Sequence, residues 1–222
     1  MKKTVRKRFC LLETHTFTKK EEIANAITHG IGVLLSIAAL VLLVVFASLE
    51  GNPWEIVAVS IYGATMIILY TCSTLVHSFP PGKWKDIFEI FDHAAIYLFI
   101  AGTYTPILLV NLRGTLGWTL FGIVWGLAIS GVIFKMFFVK RFVVLSTLFY
   151  VLMGWIIVLA WGPLVATFAF GGIVLLVVGG LLYSIGAIFY VWRSFTFHHA
   201  VWHLFVIAGS VVHFFAIFKY VI

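Results

Sequence analysis

The sequence has 222 residues, of which 63% are hydrophobic and only 10% are charged. Soluble proteins carry about 25% charged residues, and a soluble fold of this size could not bury so much apolar surface. The composition therefore excludes an ordinary soluble domain and predicts a chain whose solvent is lipid. The net charge of +7 could indicate a nucleic-acid partner, so the positions of the charges must be considered.

Seven apolar segments follow a basic tail, and each is long enough to span a bilayer, which takes about 20 mostly apolar residues. The segments are continuous rather than alternating, which favours helices over β-strands. The expected spans are Ala24–Leu49, Trp54–Phe79, Phe88–Asn111, Thr115–Phe138, Phe142–Trp161, Thr167–Trp192 and His199–Tyr220. The fold class is therefore predicted to be all-α, with a basic tail over residues 1–20 and one seven-transmembrane helix bundle over residues 21–222.

The basic residues are distributed unequally over the two ends of this bundle. Of the 15 Lys and Arg residues, all but Arg113 and Lys219 fall in the tail and in segments on the same side. Because Lys and Arg are retained on the cytoplasmic side during insertion, the N-terminus is expected in the cytoplasm and the C-terminus outside. Insertion into the cell membrane thus accounts for the positive charge, which argues against nucleic-acid binding.

Ionisable residues inside membrane spans are the first candidates for function, because they are costly to bury in lipid. Ser73 and His77 lie four residues apart, and so do His199 and His203, which places each pair on one helix face. With a cytoplasmic N-terminus, His77 lies near the end of the second span, whereas Asp92 and His199 lie near the starts of the third and seventh. The sequence therefore predicts that these groups meet at one depth on the cytoplasmic side.

The residue types at this depth suit a metal site. Three neutral imidazoles can hold Zn²⁺ and leave a fourth position for water, as in catalytic zinc sites. His77, His199 and His203 are therefore the candidate ligands. Asp92 could orient or deprotonate the water, and Ser73, one turn from His77, could hold the water or a ligand carbonyl.

Less specific interpretations remain open for the same residues. His199 and His203 could form an interfacial cluster without a metal. Asp92 could pair with Lys83 or Lys85, or could simply be a negative charge favoured at a helix N-terminus.

Other polar residues of the spans are ambiguous as well. His77 could bond to a loop carbonyl, and Ser73 could bond back to its own helix. His29 and His93 lie near the same surface and are alternative ligands. His213 lies deeper in the last span, where a buried hydrogen bond is the expected role.

Four motifs resemble those of a known family. They are Glu22-Ile23-Ala24-Asn25-Ala26-Ile27-Thr28-His29; Ser73-Thr74-Leu75-Val76-His77-Ser78-Phe79; Phe91-Asp92-His93-Ala94-Ala95-Ile96-Tyr97 with Ala101-Gly102-Thr103-Tyr104-Thr105-Pro106; and His199-Ala200-Val201-Trp202-His203 with Gly209 and His213-Phe214. Together they make the chain resemble the hemolysin III family, the bacterial branch of the progestin and adiponectin receptor (PAQR) superfamily, from Glu21 onward.

The resemblance implies a site as well as a fold. As in the adiponectin receptors of that superfamily, His77, His199 and His203 are expected to bind zinc near the cytoplasmic side. Asp92 is expected to contact the zinc through water, with Ser73 beside the site. The superfamily also includes alkaline ceramidases, which hydrolyse lipid amides with the same kind of site.

Three functions are compatible with these features. The first is a zinc-dependent intramembrane hydrolase acting on an amide or ester of a membrane lipid. The second is a cytolysin, as the family name implies, although a secreted pore former needs a soluble state and this chain has no soluble domain. The third is a receptor or membrane-homeostasis protein with a structural zinc. No soluble protein partner can be inferred, and Glu22, Asn25 and His29 are expected only to cap or anchor the first helix.

Overall fold

The computed structural model describes residues 17–222, which form seven helical spans and no β-strand. Most of the basic tail predicted over residues 1–20 lies outside the described residues. The helices are α1 (Lys19–Glu50), α2 (Pro53–Ser78), α3 (Lys83–Pro106), α4 (Thr115–Phe138), α5 (Val143–Gly154), α6 (Phe170–Val191) and α7 (His198–Tyr220). All seven spans are long and apolar enough to cross a membrane. In the third and fifth spans, α3 and α5 are continued by short helical segments. The predicted seven-transmembrane helix bundle is confirmed.

The first two helices begin at capping boxes, in which two side chains satisfy backbone N–H groups that have no partner within the helix. The Thr18 hydroxyl accepts from the Glu21 N–H, and the Glu21 carboxylate accepts from the Thr18 N–H. Asn52 and Glu55 make the same pair of bonds at the start of α2. Because of the first box, α1 starts at Lys19 rather than at the predicted Ala24.

The fifth span differs most from its prediction, which ended it at Trp161, just before the Gly162-Pro163 pair. The helix is instead interrupted after Gly154 by a 3₁₀ segment, Ile156–Ala160, and then resumes as a short helix, Trp161–Thr167. Pro163 does not end this helix because it lies in the first turn, where a missing N–H costs no intrahelical hydrogen bond.

The two ends of the bundle differ in charge. The end at which α1, α3 and α7 begin, called the basic end below, carries Lys19, Lys20, Lys83, Lys85, Lys140, Arg141 and Arg193. Lys140 lies 2.7 Å from Asp86 across this end, and that hydrogen bond raises the pKa of the Lys140 amine. The backbone N–H of Phe197 donates to the Glu21 carboxylate over 3.1 Å, which joins the starts of α1 and α7. Positive charge is thus concentrated at the end predicted to face the cytoplasm.

Helix α3 lies at the centre of the bundle. In the most apolar 18-residue stretch of its span, 67% of the residues are buried, whereas the corresponding fraction for α1 is 28%. It packs against α2 and α4, and the α4 contact is close at Gly131, which faces the ring of Tyr97. The central position of α3 brings the residues at its start, including Asp92, near the ends of several helices.

Replacing Gly131 by alanine is expected to destabilise the bundle, because the added Cβ would lie 2.5 Å from the Tyr97 ring. That ring is buried and lies 4.4 Å, centroid to centroid, from Tyr150, so it cannot move aside freely. Overpacking of this kind costs about 1–3 kcal/mol. Thermal unfolding in detergent measures the effect. Gly126→Ala on the same helix is the matched control, since nothing lies within 4 Å of its added Cβ. Equal melting temperatures for the two variants would contradict the packing argument.

Candidate metal centre

Three imidazoles converge near the basic end, one from α2 and two from α7. One ring nitrogen from each of His77, His199 and His203 lies within 4.8 Å of the other two. The ring centroids are 5.1 Å apart for His77 and His199, and 4.5 Å apart for His199 and His203. Within residues 17–222, no other three His, Cys, Asp or Glu side chains converge in this way. The structure therefore brings together the three histidines that the sequence singled out.

The environment of His77 shows whether these residues fit a metal ion. Its Nδ1 lies 2.7 Å from a carboxylate oxygen of Glu22, whereas its Nε2 is buried and has no hydrogen-bond partner among the described residues. A buried polar atom without a partner is costly, and coordination would remove that cost. Three imidazoles are a donor set that zinc accepts readily. The residues present thus fit an ion held by three histidines.

Ser73 and Asp92 lie beside the three histidines without joining them. Ser73 is 1% exposed, and its hydroxyl oxygen lies 2.6 Å from Nδ1 of His29. Asp92, on α3, lines the same cavity as Ser73. This places a carboxylate and a hydroxyl next to the candidate centre.

Two cavities meet at this point. An apolar cavity inside the bundle is lined mainly by aromatic and aliphatic side chains, with Ser73, Asp92, His199 and His203 at one end. A more polar cavity at the basic end is lined by His77, Asp92, His199 and charged residues of α1 and α3. Asp92 and His199 line both cavities. The arrangement can therefore bring an apolar ligand and water together at His199 and Asp92.

The structure decides several of the open alternatives. In the described chain Lys85 lies 2.8 Å from Glu22, and Asp92 is not paired with Lys83 or Lys85. Both ring nitrogens of His93 are engaged, one with the Glu89 carbonyl at 2.8 Å and one with the Tyr190 hydroxyl at 2.9 Å. His93 is therefore not free to be a ligand in this arrangement.

His213 makes the buried hydrogen bond expected of it. Its Nε2–H donates to the Leu176 carbonyl over 3.1 Å, between α7 and α6. This bond contributes to helix packing, and the residue does not belong to the group of three converging histidines.

Sequence reasoning missed the part played by α1. The rings of His77 and His203 are contacted by the side chains of Glu22, Thr28 and His29 and by the backbone carbonyl of Asn25. The signal that could have found them is their spacing of three and four residues, which aligns polar groups on one face of an otherwise apolar helix. The first motif does more than cap or anchor the helix.

These features define a multi-pass membrane protein in which three intramembrane histidines converge at one candidate site. The profile of the family described as Haemolysin-III related matches residues 17–214, nearly the whole of the chain. The chain belongs to this haemolysin-III-related family, as its motifs predicted.

Individual relatives extend the comparison. The chain is 58% identical to the hemolysin-3 homolog of Bacillus subtilis, over 92% of this chain and 96% of that protein. It is 55% identical to hemolysin-3 of Bacillus cereus, over 91% and 93% of the two chains. The human monocyte to macrophage differentiation factor is 31% identical over 90% of this chain and 84% of its own length. Seven apolar helices in a member of this family indicate a multi-pass protein of the cell membrane.

Proposed function

We propose that the protein is a zinc-dependent hydrolase that cleaves an amide or ester bond of a membrane lipid. The observation that carries the proposal is the convergence of His77, His199 and His203 within 4.8 Å of one another, with His199 and His203 lining the end of an apolar cavity. Asp92 and Ser73, the proposed catalytic residues, line the same end of that cavity. The resemblance to the lipid-amide hydrolases of the PAQR superfamily supports the same reaction class.

In the proposed hydrolysis, the zinc ion would activate the water, and side chains of the protein would transfer the proton and stabilise the developing charge. A Zn²⁺ held by three imidazoles supplies a Lewis acid and lowers the pKa of water towards about 7. Asp92 takes the proton from the attacking water and returns it to the amine or alcohol that leaves when the C–N or C–O bond breaks, a role that suits a carboxylate bordering both cavities. Ser73 donates its O–H to the carbonyl oxygen as negative charge develops there. His29, 2.6 Å from the Ser73 oxygen, holds the hydroxyl in position.

The shape of the site supports a lipid as the substrate. The apolar cavity is lined by side chains such as Leu69, Ile96, Phe99, Ile100 and Val206, which suit an acyl chain. An acyl chain lying there would bring its polar end to Ser73 and Asp92. The polar cavity would supply water from the basic end, which is the cytoplasmic side in the orientation predicted from the Lys and Arg residues.

A chelator series on the purified protein tests this function. We expect about one zinc per chain and turnover of at least one lipid amide or ester from a panel of ceramide-like and acyl-ester substrates. Chelation should remove zinc and turnover together while the melting curve still shows a folded bundle, because the seven spans bury apolar surface without the ion. A protein with stoichiometric zinc that turns over no member of the panel would contradict the proposal.

A structural zinc is the second candidate, because the three imidazoles join α2 to α7, which are far apart in the chain. The protein would then be a receptor or a membrane-homeostasis protein. Unfolding at the same chelator concentration that abolishes function would favour this role.

The relatives named hemolysin-3 suggest cytolysis as a further candidate. Dye release from protein-free liposomes that His77→Ala leaves unchanged would favour a pore over both zinc functions.

A further inference from the structure

We propose that α1, which supplies none of the three converging nitrogens, sets the metal affinity of the centre by orienting His77 and His203. The inference rests on the zinc centre of the proposed function and deepens it. Its basis is a set of hydrogen bonds that the Nδ1–H groups of the two rings donate to the Glu22 carboxylate, the Thr28 hydroxyl and the Asn25 backbone carbonyl.

Glu22 determines which nitrogen of His77 carries the proton. A carboxylate can only accept a hydrogen bond, so the His77 Nδ1, 2.7 Å from the Glu22 oxygen, must be the protonated nitrogen. The lone pair of the neutral ring is then on Nε2, which is the buried atom without a partner. Carboxylates that hold a metal-binding histidine through its second nitrogen fix the ring orientation and raise its basicity as a ligand.

The Glu22 carboxylate is itself held in place from α3. Its other oxygen lies 2.8 Å from the amine of Lys85. Lys85 also donates to the Val76 carbonyl over 2.7 Å, in the last turns of α2 and next to His77. The carboxylate therefore bridges two partners, and the ring is oriented before any ion arrives.

The Asn25 carbonyl and Thr28 give His203 the same tautomer. The carbonyl can only accept and lies 3.3 Å from the His203 Nδ1, so that nitrogen carries the proton. The Thr28 hydroxyl donates its own proton to the carbonyls of Ala24 and Asn25, each 2.9 Å away, and its oxygen accepts from the same His203 N–H at 3.1 Å. The lone pair of His203 is again left on Nε2.

Stacking fixes the plane of the His203 ring as well. The His29 ring lies parallel to it, with centroids 3.4 Å apart and an interplanar angle of 11°. His29 is anchored in turn by its bond to Ser73. Two of the three candidate ligands are thus oriented by one helix, and loss of such outer partners typically lowers metal affinity by about 10- to 100-fold.

Zinc affinities of purified variants test the inference. Glu22→Gln is expected to weaken zinc binding by about 10- to 100-fold, since the amide loses the charge that fixes the ring. Thr28→Val should weaken it less, because the Asn25 carbonyl still accepts from His203. Competition with a chromophoric chelator gives the affinity, and the melting temperature of the metal-free protein is measured beside it.

Matched controls lie elsewhere in the bundle. Glu50→Gln makes the same charge change at the exposed far end of α1, and Thr119→Val removes the same kind of helix back-bond on α4. Both controls should bind zinc as tightly as the wild type. Glu22→Asp keeps the charge but withdraws the carboxylate from the ring, so an intermediate affinity is expected.

The outcomes separate the two proposals. Wild-type protein that binds no zinc would overturn the proposed function, and this inference with it. Wild-type protein that binds zinc while Glu22→Gln and Thr28→Val bind it equally well would overturn the inference alone. Affinity losses matched by lower melting temperatures of the metal-free variants would show a structural role for α1 and would also overturn it. Weaker binding in metal-free proteins that melt like the wild type supports it.

Discussion

Replacing any one of His77, His199 and His203 by alanine is expected to remove the bound zinc. The three ring nitrogens lie within 4.8 Å of one another, so each substitution takes away a third of the protein ligands. The loss of affinity should exceed the roughly 100-fold that removal of an outer partner costs. Metal analysis of purified protein should therefore fall from about one zinc per chain to almost none.

A histidine outside the group provides the control for this experiment. His213→Gln lies on α7, the helix that carries two of the candidate ligands, and its ring bonds to the Leu176 carbonyl instead. This variant should keep its zinc. If the alanine variants at all three candidate ligands also keep full zinc, the metal centre proposed for this protein is wrong.

Replacing Asp92 by asparagine is expected to abolish most of the turnover while the zinc stays bound. The amide has the shape of the carboxylate, but it cannot take a proton. Loss of a general base typically lowers kcat by about 10²- to 10⁴-fold. Because Asp92 is outside the three converging ligands, metal content should match the wild type. Single-substrate kinetics and metal analysis on the same preparation measure both quantities.

Asp86→Asn is the matched control on the same helix. Its carboxylate is 61% exposed and pairs with Lys140 at the surface, where an ion pair contributes about 0–1 kcal/mol. Turnover of this variant should stay close to that of the wild type. Full activity of Asp92→Asn would exclude Asp92 as the base, and loss of its zinc would make Asp92 a ligand instead.

Several local features of the fold were predictable because they depend on short stretches of chain. Continuous apolar runs indicated the seven spans, and the spacing of His199 and His203 placed both rings on one face of α7. The alternation of span direction placed His77 and Asp92 at the same end of the bundle. The break in the fifth span was misplaced, because a proline in the first turn of a helix does not end it.

The sequence by itself determined that the protein lies in a lipid bilayer, how many spans it has and the depth at which the three candidate ligands meet. The first two follow from apolar length, and the common depth follows from helical periodicity and from the alternation of span direction. Only the tertiary structure decided that Lys85 pairs with Glu22, and that α1 holds the rings of His77 and His203. Those contacts depend on how each helix is rotated about its axis against its neighbours. That rotation is set by side-chain packing across the whole bundle, which no single segment encodes.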